Sequence, residues 1–214
     1  MKVVFLGTPD FSVGTLEAIY KSKHELLAVV TQPDKPSGRG EKMTFSPVKQ
    51  AAIEHGIKVL QYDKIRVQGI QDLKALAPDI MVTCAYGQIL SQEIIDIATH
   101  GIINVHASLL PKYRGAAPIQ WAILNGDKET GVTIMQTEAG IDCGDIIAVK
   151  KTPIGKDETA GELFERLSLI GADLLVETLD KIEAGTVTFT KQNNELASHV
   201  KMLKKTDGML DFTK

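Results

Sequence analysis

Short apolar runs alternate with amphipathic stretches along the first half of the chain. The apolar runs, long enough for buried strands, are residues 3–6, 26–30, 57–60, 80–85 and 102–106. Apolar residues recur at helical spacing in 11–20, from Ser46-Pro47 to Gly56, in 67–76 with a break at Gly69, and in 91–98. Ser followed by Pro is typical of a helix start. This alternation predicts an α/β fold of Rossmann-like type, a mostly parallel sheet flanked by helices on both faces.

The second half of the chain follows a different pattern. Its spacing predicts a helix at 119–124, strands at 132–137 and 146–149, a long helix at 160–184 and a short last strand at 187–190. Residues 31–45 are polar and rich in Gly and Pro, which predicts a loop. From residue 191 onward the sequence is polar and clear periodicity is lost.

Composition narrows the class of protein. Of the 214 residues, 43% are hydrophobic and 24% are charged, so a sizeable core is available. No apolar run approaches the roughly 20 residues that span a bilayer, and no membrane partner is expected. Cys84 and Cys143 have neither metal-ligand nor disulfide-framework spacing, which indicates a reducing cytoplasm. With a net charge of −3, any contact with RNA requires local basic patches or a further segment.

Two polar residues lie at the end of the apolar run at 102–106. Residues two apart in a strand face the same side, so Asn104 and His106 should project together while Ile103 and Val105 face the other way. The carboxyl end of a strand is where such folds bind ligands. Asn supplies an amide donor, and His supplies a donor or an acid and base near neutral pH. The alternative is a polar pair that satisfies the backbone of the following loop.

A carboxylate lies among glycines in the segment 140–145. Glycines flanking Asp142 suggest a loop that approaches another group closely. The Asp142 carboxylate could then orient His106 and favour its protonated form. An Asx turn is the alternative, because Asp-x-Gly is common turn chemistry. The residue pattern alone leaves both interpretations open.

Two long runs carry a resemblance to a known family. Residues 104–115, and residues 131–136 followed by 140–144, resemble the two signatures of the folate-dependent formyltransferases, in the same order and at similar spacing. Within that family, four further segments resemble the branch that formylates methionyl initiator tRNA: 7–11, 31–34, 38–40 and 114–120. The resemblance extends over essentially the whole chain. It implies transfer of a formyl group from 10-formyltetrahydrofolate, the co-substrate, to the methionine amino group of methionyl initiator tRNA.

The resemblance also implies the site residues. The catalytic trio would be Asn104, His106 and Asp142, with the first two donating hydrogen bonds to the developing oxyanion. Asp142 would hold His106 as a donor and, through water, assist proton removal from the attacking amine. The expected folate contacts are Ser108, Leu109, Leu110, Pro111, Tyr86, Gly87 and Leu90. Plain core packing is the alternative for the three leucines.

The acceptor and the domain boundaries follow from the same resemblance. Phe11 would shape a pocket for the methionine side chain, and helix packing is an equal alternative. Arg39 and Lys42 would contact the tRNA, and an ordinary solvated loop is the alternative. Residues 1–188 would form the catalytic domain, and 189–214 resemble a linker with the first residues of a C-terminal β-barrel domain. We expect a monomer without a metal ion.

Other activities remain open from the sequence. A glycinamide ribonucleotide formyltransferase needs a Gly-rich phosphate turn after its first strand, and residues 7–11 have one glycine and a proline there. A sugar-nucleotide N-formyltransferase or a formyltetrahydrofolate hydrolase would use the same trio. A protein of another class, a non-catalytic module that binds folate or RNA, is disfavoured by the intact Asn104, His106 and Asp142.

Overall fold

One large sheet dominates the structure. The computed structural model describes residues 1–37 and 42–209. The strands of the described ranges are β1 (Lys2–Gly7), β2 (Glu25–Thr31), β3 (Lys35–Ser37), β4 (Lys42–Thr44), β5 (Val59–Gln61), β6 (Ile80–Cys84), β7 (Ile102–His106), β8 (Arg114–Gly115), β9 (Glu129–Gln136), β10 (Ile146–Pro153) and β11 (His199–Val200). The α-helices there are α1 (Phe11–Lys21), α2 (Pro47–Glu54), α3 (Ile65–Gln68), α4 (Ile70–Leu76), α5 (Gln92–Ile95), α6 (Pro118–Leu124) and α7 (Ala160–Glu183).

The sheet is parallel through most of its width. Its seven strands are ordered β10-β9-β7-β6-β1-β2-β5. The five strands from β7 to β5 run parallel, β9 is antiparallel to β7, and β10 is antiparallel to β9. The carboxyl ends of β1, β6 and β7 therefore lie side by side at one edge of the sheet. This architecture confirms the predicted α/β class.

Alternate residues of β1 face two separate cores. Val3 and Phe5 belong to a cluster with residues of α1, α2 and α7, whereas Val4 and Leu6 belong to a cluster with residues of α3, α4 and α5. Successive side chains of a strand point to opposite faces, so both faces of the sheet are covered by helices, as predicted. None of the helices in the described ranges is long and apolar enough to cross a membrane.

The helices begin where the sequence supplies caps. The Ser46 side chain accepts a hydrogen bond from the backbone N–H of Lys49 at the start of α2, where Pro47 is the first residue. Thr159 and Glu162 form a capping box at the start of α7. These side chains satisfy backbone donors that the first turn leaves free. At Gly69 the predicted helix is divided into α3 and α4.

The structure departs from the predicted elements in three places. The predicted loop at 31–45 contains the short antiparallel pair β3 and β4. The predicted strand at 187–190 is not formed, and only Thr190 makes an isolated bridge, to Ile146. The aperiodic stretch after residue 191 contains β11, which pairs in parallel with β8. β11 shows no local periodicity because its strand geometry comes from hydrogen bonds to the distant β8.

A glycine sets the contact between α7 and the strand that ends at Asn104 and His106. A β-carbon at Gly171 would lie 3.0 Å from Cγ1 of Val105 in β7 and 3.5 Å from Cγ1 of Val132 in β9. Gly161, on the exposed side of the same helix, would meet only Oγ1 of Thr159 at 3.9 Å. A larger residue at 171 must therefore push the helix away from the sheet.

We expect Gly171→Leu to lower the free energy of unfolding by about 1–3 kcal/mol through overpacking. Gly161→Leu should raise it slightly, because leucine has a helix propensity about 0.8 kcal/mol better than glycine. Both variants replace a glycine of α7, but only residue 171 meets the sheet, so an unfavourable difference reports its contact with Val105 and Val132. Urea unfolding followed by far-UV circular dichroism measures both, and equal stability of the two variants would contradict the close packing.

Candidate active site

The side chain of Asn104 is oriented by its neighbour in β6. The Thr83 hydroxyl donates a hydrogen bond to Oδ1 of Asn104 at 2.9 Å. The amide nitrogen Nδ2 must then face the opposite way, and it lies 3.4 Å from Oδ1 of Asp142. Ile103 and Val105 pack into the first core, so Asn104 and His106 are on the other face of β7. The amide therefore presents a donor at the carboxyl edge of the sheet.

A backbone carbonyl fixes the ring of His106. Nε2 lies 2.9 Å from the carbonyl oxygen of Tyr113, and because a carbonyl only accepts, Nε2 carries a proton and donates it. Nδ1 faces Asp142, with 3.6 Å between Nδ1 and Oδ2. The side chain is only 7% exposed, so the ring has little freedom to rotate. Nδ1 is thus the nitrogen of His106 that faces the proposed site.

Asp142 joins two loops at this point. Its Oδ2 accepts a hydrogen bond of 2.8 Å from the backbone N–H of Gly115. Its φ of 47° is left-handed, a conformation that non-glycine residues rarely adopt. A β-carbon at Gly144 would collide with the carbonyl oxygen of Gln136, so a glycine is required two residues later. The carboxylate is brought to Asn104 and His106 by this backbone geometry.

An amide donor, an imidazole and a carboxylate thus converge where β7 ends. The amide and a protonated imidazole can donate hydrogen bonds to an oxygen that gains negative charge, and the carboxylate can accept a proton. The trio predicted from the sequence is assembled in space, and its catalytic role stays a prediction.

The turn after β7 contains four of the predicted folate contacts. The Thr133 hydroxyl donates to the carbonyl of Ser108 at 2.7 Å and accepts from the backbone N–H of Leu110 at 3.2 Å. Ser108 itself is fully buried and donates to the carbonyl of Lys112 at 2.6 Å, so its hydroxyl is already used. Leu109 is half-buried, and the Leu110-Pro111 peptide bond is cis. This rigid turn lies directly beside His106.

The loop after β6 contains the other three. The Tyr86 side chain is buried in the second core, and burial raises the pKa of its phenol. Its carbonyl accepts hydrogen bonds of 3.1 Å from Thr8 and from Gln32, which holds this loop against the turns after β1 and β2. Gly87 is exposed with a φ of 85°, and Leu90 is half-buried against the second core. A folate contact in this loop would therefore fall on the backbone near Gly87.

The predicted acceptor residues lie in different surroundings. Phe11 is buried and packs edge-on against Phe164, with 5.0 Å between ring centroids, which supports the packing interpretation. Lys42 is the first residue of β4. Arg39 lies outside the described residues.

Two other features were candidates for chemistry: the buried thiol of Cys84 and a group of possible metal ligands. Burial raises the pKa of the Cys84 thiol to about 11, so Cys84 is a core residue and not a nucleophile. Ligand atoms of His24, Asp180 and Glu183 lie within 4.8 Å of one another and could hold a cation. The ammonium of Lys23 already lies 3.1 Å from Asp180 and 3.0 Å from Glu183. We therefore assign no metal to this cluster, which is next to the amino end of β2.

Sequence reasoning missed the residues that hold the trio. Tyr113, Arg114 and Gly115 were recognised only as part of a motif, although their carbonyl, side chain and N–H each have a separate contact in the site. Gln192, in the aperiodic stretch, gave no local signal. Its two amide N–H groups donate to the carbonyls of Asp142 and Gly144 at 2.9 and 2.7 Å.

A Rossmann-like sheet with an amide, an imidazole and a carboxylate at its carboxyl edge provides a candidate site for group transfer. A family model described as formyl transferase matches residues 1–179, so the chain belongs to the formyl transferase family. Over its whole length the chain is 55% identical to the methionyl-tRNA formyltransferase of Agathobacter rectalis and 52% identical to that of Lachnospira eligens. It spans 69% and 68% of those two proteins.

Solved structures share the fold. The N-formyltransferase from Helicobacter canadensis, in complex with folinic acid and dTDP-3-aminofucose, superposes with a TM-score of 0.72 at 26% identity, over 94% of this chain and 70% of that one. A glycinamide ribonucleotide transformylase from Symbiobacterium toebii superposes with a TM-score of 0.74 over 90% of this chain and 94% of that one, at 18% identity. The second likeness concerns the fold alone.

The tautomer of His106 is open to direct measurement. We expect the neutral ring to carry its proton on Nε2, because Nε2 donates to the Tyr113 carbonyl. Two-bond ¹H–¹⁵N correlation spectra of ¹⁵N-labelled protein, recorded at a pH where the ring is neutral, distinguish the two tautomers. His106→Gln assigns the resonances. A neutral ring protonated on Nδ1 would show that the Tyr113 carbonyl does not hold it.

Proposed function

We propose that this chain transfers the formyl group of 10-formyltetrahydrofolate to the amino group of methionine on initiator tRNA. The convergence of Asn104, His106 and Asp142 at the carboxyl end of β7 carries the proposal. More than half of the residues are identical to a methionyl-tRNA formyltransferase over the full chain, which supports this acceptor. The Helicobacter relative bound to folinic acid supports a folate co-substrate.

The reaction needs one nucleophilic attack and one proton transfer. The amine nitrogen attacks the formyl carbon, and its carbonyl oxygen becomes an oxyanion. The bond from this carbon to N10 of the folate then breaks, which leaves the formylated amine and tetrahydrofolate. The amine loses one proton and N10 gains one, so the two sides balance. The protein must therefore stabilise negative charge on oxygen and move a proton.

The geometry divides these tasks. Thr83 holds the oxygen of the Asn104 amide, and Nδ2, which donates one proton to Oδ1 of Asp142 at 3.4 Å, has a second proton to donate to the oxyanion. Nε2 of His106 is engaged with the Tyr113 carbonyl, so the ring donates to the oxyanion through Nδ1 and carries both protons when it does. Oδ2 of Asp142, 3.6 Å from Nδ1, stabilises that charged ring. The carboxylate also accepts the proton of the attacking amine, through water.

The start of α1 favours methionyl-tRNA over a phosphorylated acceptor at this position. Oδ1 of Asp10 accepts a hydrogen bond of 2.9 Å from the backbone N–H of Phe11 and lies where a helix would otherwise attract an anion. The carbonyl of Thr8 accepts from Val48, and Pro9 has no N–H to offer. The turn after β1 is therefore a poor phosphate cradle. This observation disfavours a ribonucleotide acceptor bound there.

The β3–β4 hairpin is the proposed contact to tRNA. Its base is held by Lys49, whose ammonium lies 2.5 Å from Asp34 and 2.9 Å from Gln61. The hydrogen bond from Lys49 lowers the pKa of the Asp34 carboxyl, so the ion pair beside the hairpin is maintained. Arg39 and Lys42 are in the hairpin sequence, and such cations suit phosphate contact. We also propose that residues 1–188 contain the catalytic residues and that 189–214 are a linker, of which the stretch 191–201 packs against them.

Single substitutions in the trio test the mechanism. We expect Asn104→Ala, His106→Ala and Asp142→Asn each to lower kcat by ~10²–10⁴, because each removes a donor or a base. Folding should be retained, since Asn at position 142 still accepts from the Gly115 N–H. Formylated methionyl-tRNA and released tetrahydrofolate are measured together, with thermal melts as the folding check.

Cys143→Ser is the matched control, because this half-buried thiol neighbours Asp142 and has no part in the mechanism. It should retain kcat within about threefold. Glycinamide ribonucleotide and a 4-amino sugar nucleotide are assayed in parallel. Faster formylation of either one would reassign the acceptor, and a trio variant with parental turnover would remove that residue from the mechanism.

A further inference from the structure

The chain after α7 returns to the proposed active site. Residues 191–201, here termed the strap, run along the loop that follows β7. The backbone N–H of Arg114 donates to the Ser198 carbonyl at 2.8 Å, and that of Ala116 donates to the Val200 carbonyl at 3.1 Å. The N–H of Ser198 donates to the Pro111 carbonyl at 3.2 Å. The strap thus pairs with the segment whose Gly115 N–H holds Asp142. The matched family region ends at residue 179, before the strap.

One side chain of the strap connects both sides of the site. Oε1 of Gln192 accepts from Nε and Nη2 of Arg114 at 3.0 and 2.8 Å. Its Nε2 donates to the carbonyls of Asp142 and Gly144 at 2.9 and 2.7 Å. A guanidinium only donates and a carbonyl only accepts, so the amide has one possible orientation. Both N–H groups and the oxygen are used.

These contacts act on the strained part of the loop. Asp142 has a φ of 47°, a strained conformation for a non-glycine residue that persists only when its surroundings hold it. Gln192 binds the carbonyls of Asp142 and of the residue two further on. It also binds Arg114, which is 5% exposed and precedes the N–H donor Gly115. Gln192 therefore fixes the Asp142 carboxylate relative to the Gly115 N–H, although it contacts only the backbone of Asp142.

We propose that Gln192 is a positioning residue for Asp142, so that the strap sets the geometry of the carboxylate for formyl transfer; this inference rests on the proposed function. Misplacing a catalytic group by about 1 Å can cost ~10² in rate. Loss of the Gln192 amide should therefore lower kcat and leave KM for folate nearly unchanged.

Gln192→Glu separates positioning from stability. The carboxylate still pairs with Arg114, and more strongly, so the fold is retained. Both donors to the Asp142 and Gly144 carbonyls are lost, and the negative charge repels these oxygens. We expect kcat to fall ~10–100-fold, in the range seen when outer-shell partners are removed, with KM for 10-formyltetrahydrofolate changed by less than about threefold.

Asn194→Asp is the matched control. Oδ1 of Asn194 also accepts from Nη2 of Arg114, at 2.9 Å, and its known contacts do not include the Asp142 loop. This variant places the same charge on the same guanidinium and should keep kcat within about threefold. Equal kcat in Gln192→Glu and the parent, or equal losses in both variants, would overturn the proposal.

A second readout is independent of catalysis. The Gly115 amide proton reports its hydrogen bond to Asp142, so its chemical shift and exchange rate should change in Gln192→Glu and not in Asn194→Asp. If the parent chain formylates no acceptor, the proposed function fails, and this resonance alone decides on positioning. An unchanged Gly115 resonance in Gln192→Glu would then reject it.

Discussion

The left-handed conformation of Asp142 is the constraint on which the site depends. With a φ of 47°, the residue turns its carboxylate back toward the end of β7. Glycine at 144 permits the close approach to Gln136, and the Gly115 N–H and the Gln192 amide hold the two ends of the residue. Such strain persists only where several contacts oppose its relaxation. Contacts within the protein thus position the carboxylate, and such preorganisation limits reorganisation during a reaction.

The segment from Tyr113 to Gly115 contacts His106, Gln192 and Asp142. The Tyr113 carbonyl selects the proton position on His106, the Arg114 side chain anchors Gln192, and the Gly115 N–H binds Asp142. Both Tyr113 and Gly115 have positive φ, at 62° and 103°. With this backbone, the Tyr113 carbonyl points to His106 and the Gly115 N–H points to Asp142. This short segment therefore orients both the His106 ring and the Asp142 carboxylate.

The sequence supports prediction of elements whose signal is local. β7 was predicted at its observed bounds, because apolar residues predominate in it, and α7 was predicted within one residue, because its apolar residues recur at helical spacing. β11 could not be predicted, since two residues acquire strand geometry only through β8. The trio was recognised through motifs. Gln192 was not, because its partners are 48 and 50 residues away in the chain.

Formyl transfer and acceptor recognition require different residues of this fold. In the proposed mechanism the trio contacts only the atoms of formyl transfer, so it suits any amine acceptor, and two other solved transformylase and N-formyltransferase structures share this fold. Discrimination must then come from groups that meet the rest of the acceptor. Here the turn after β1 ends in an anionic cap at Asp10, which repels phosphate, and the sequence between β2 and α2 supplies the cations that we propose to contact the tRNA. An acceptor with a neutral amino acid beside the formyl group and phosphates farther away satisfies both conditions, as an aminoacylated RNA end does.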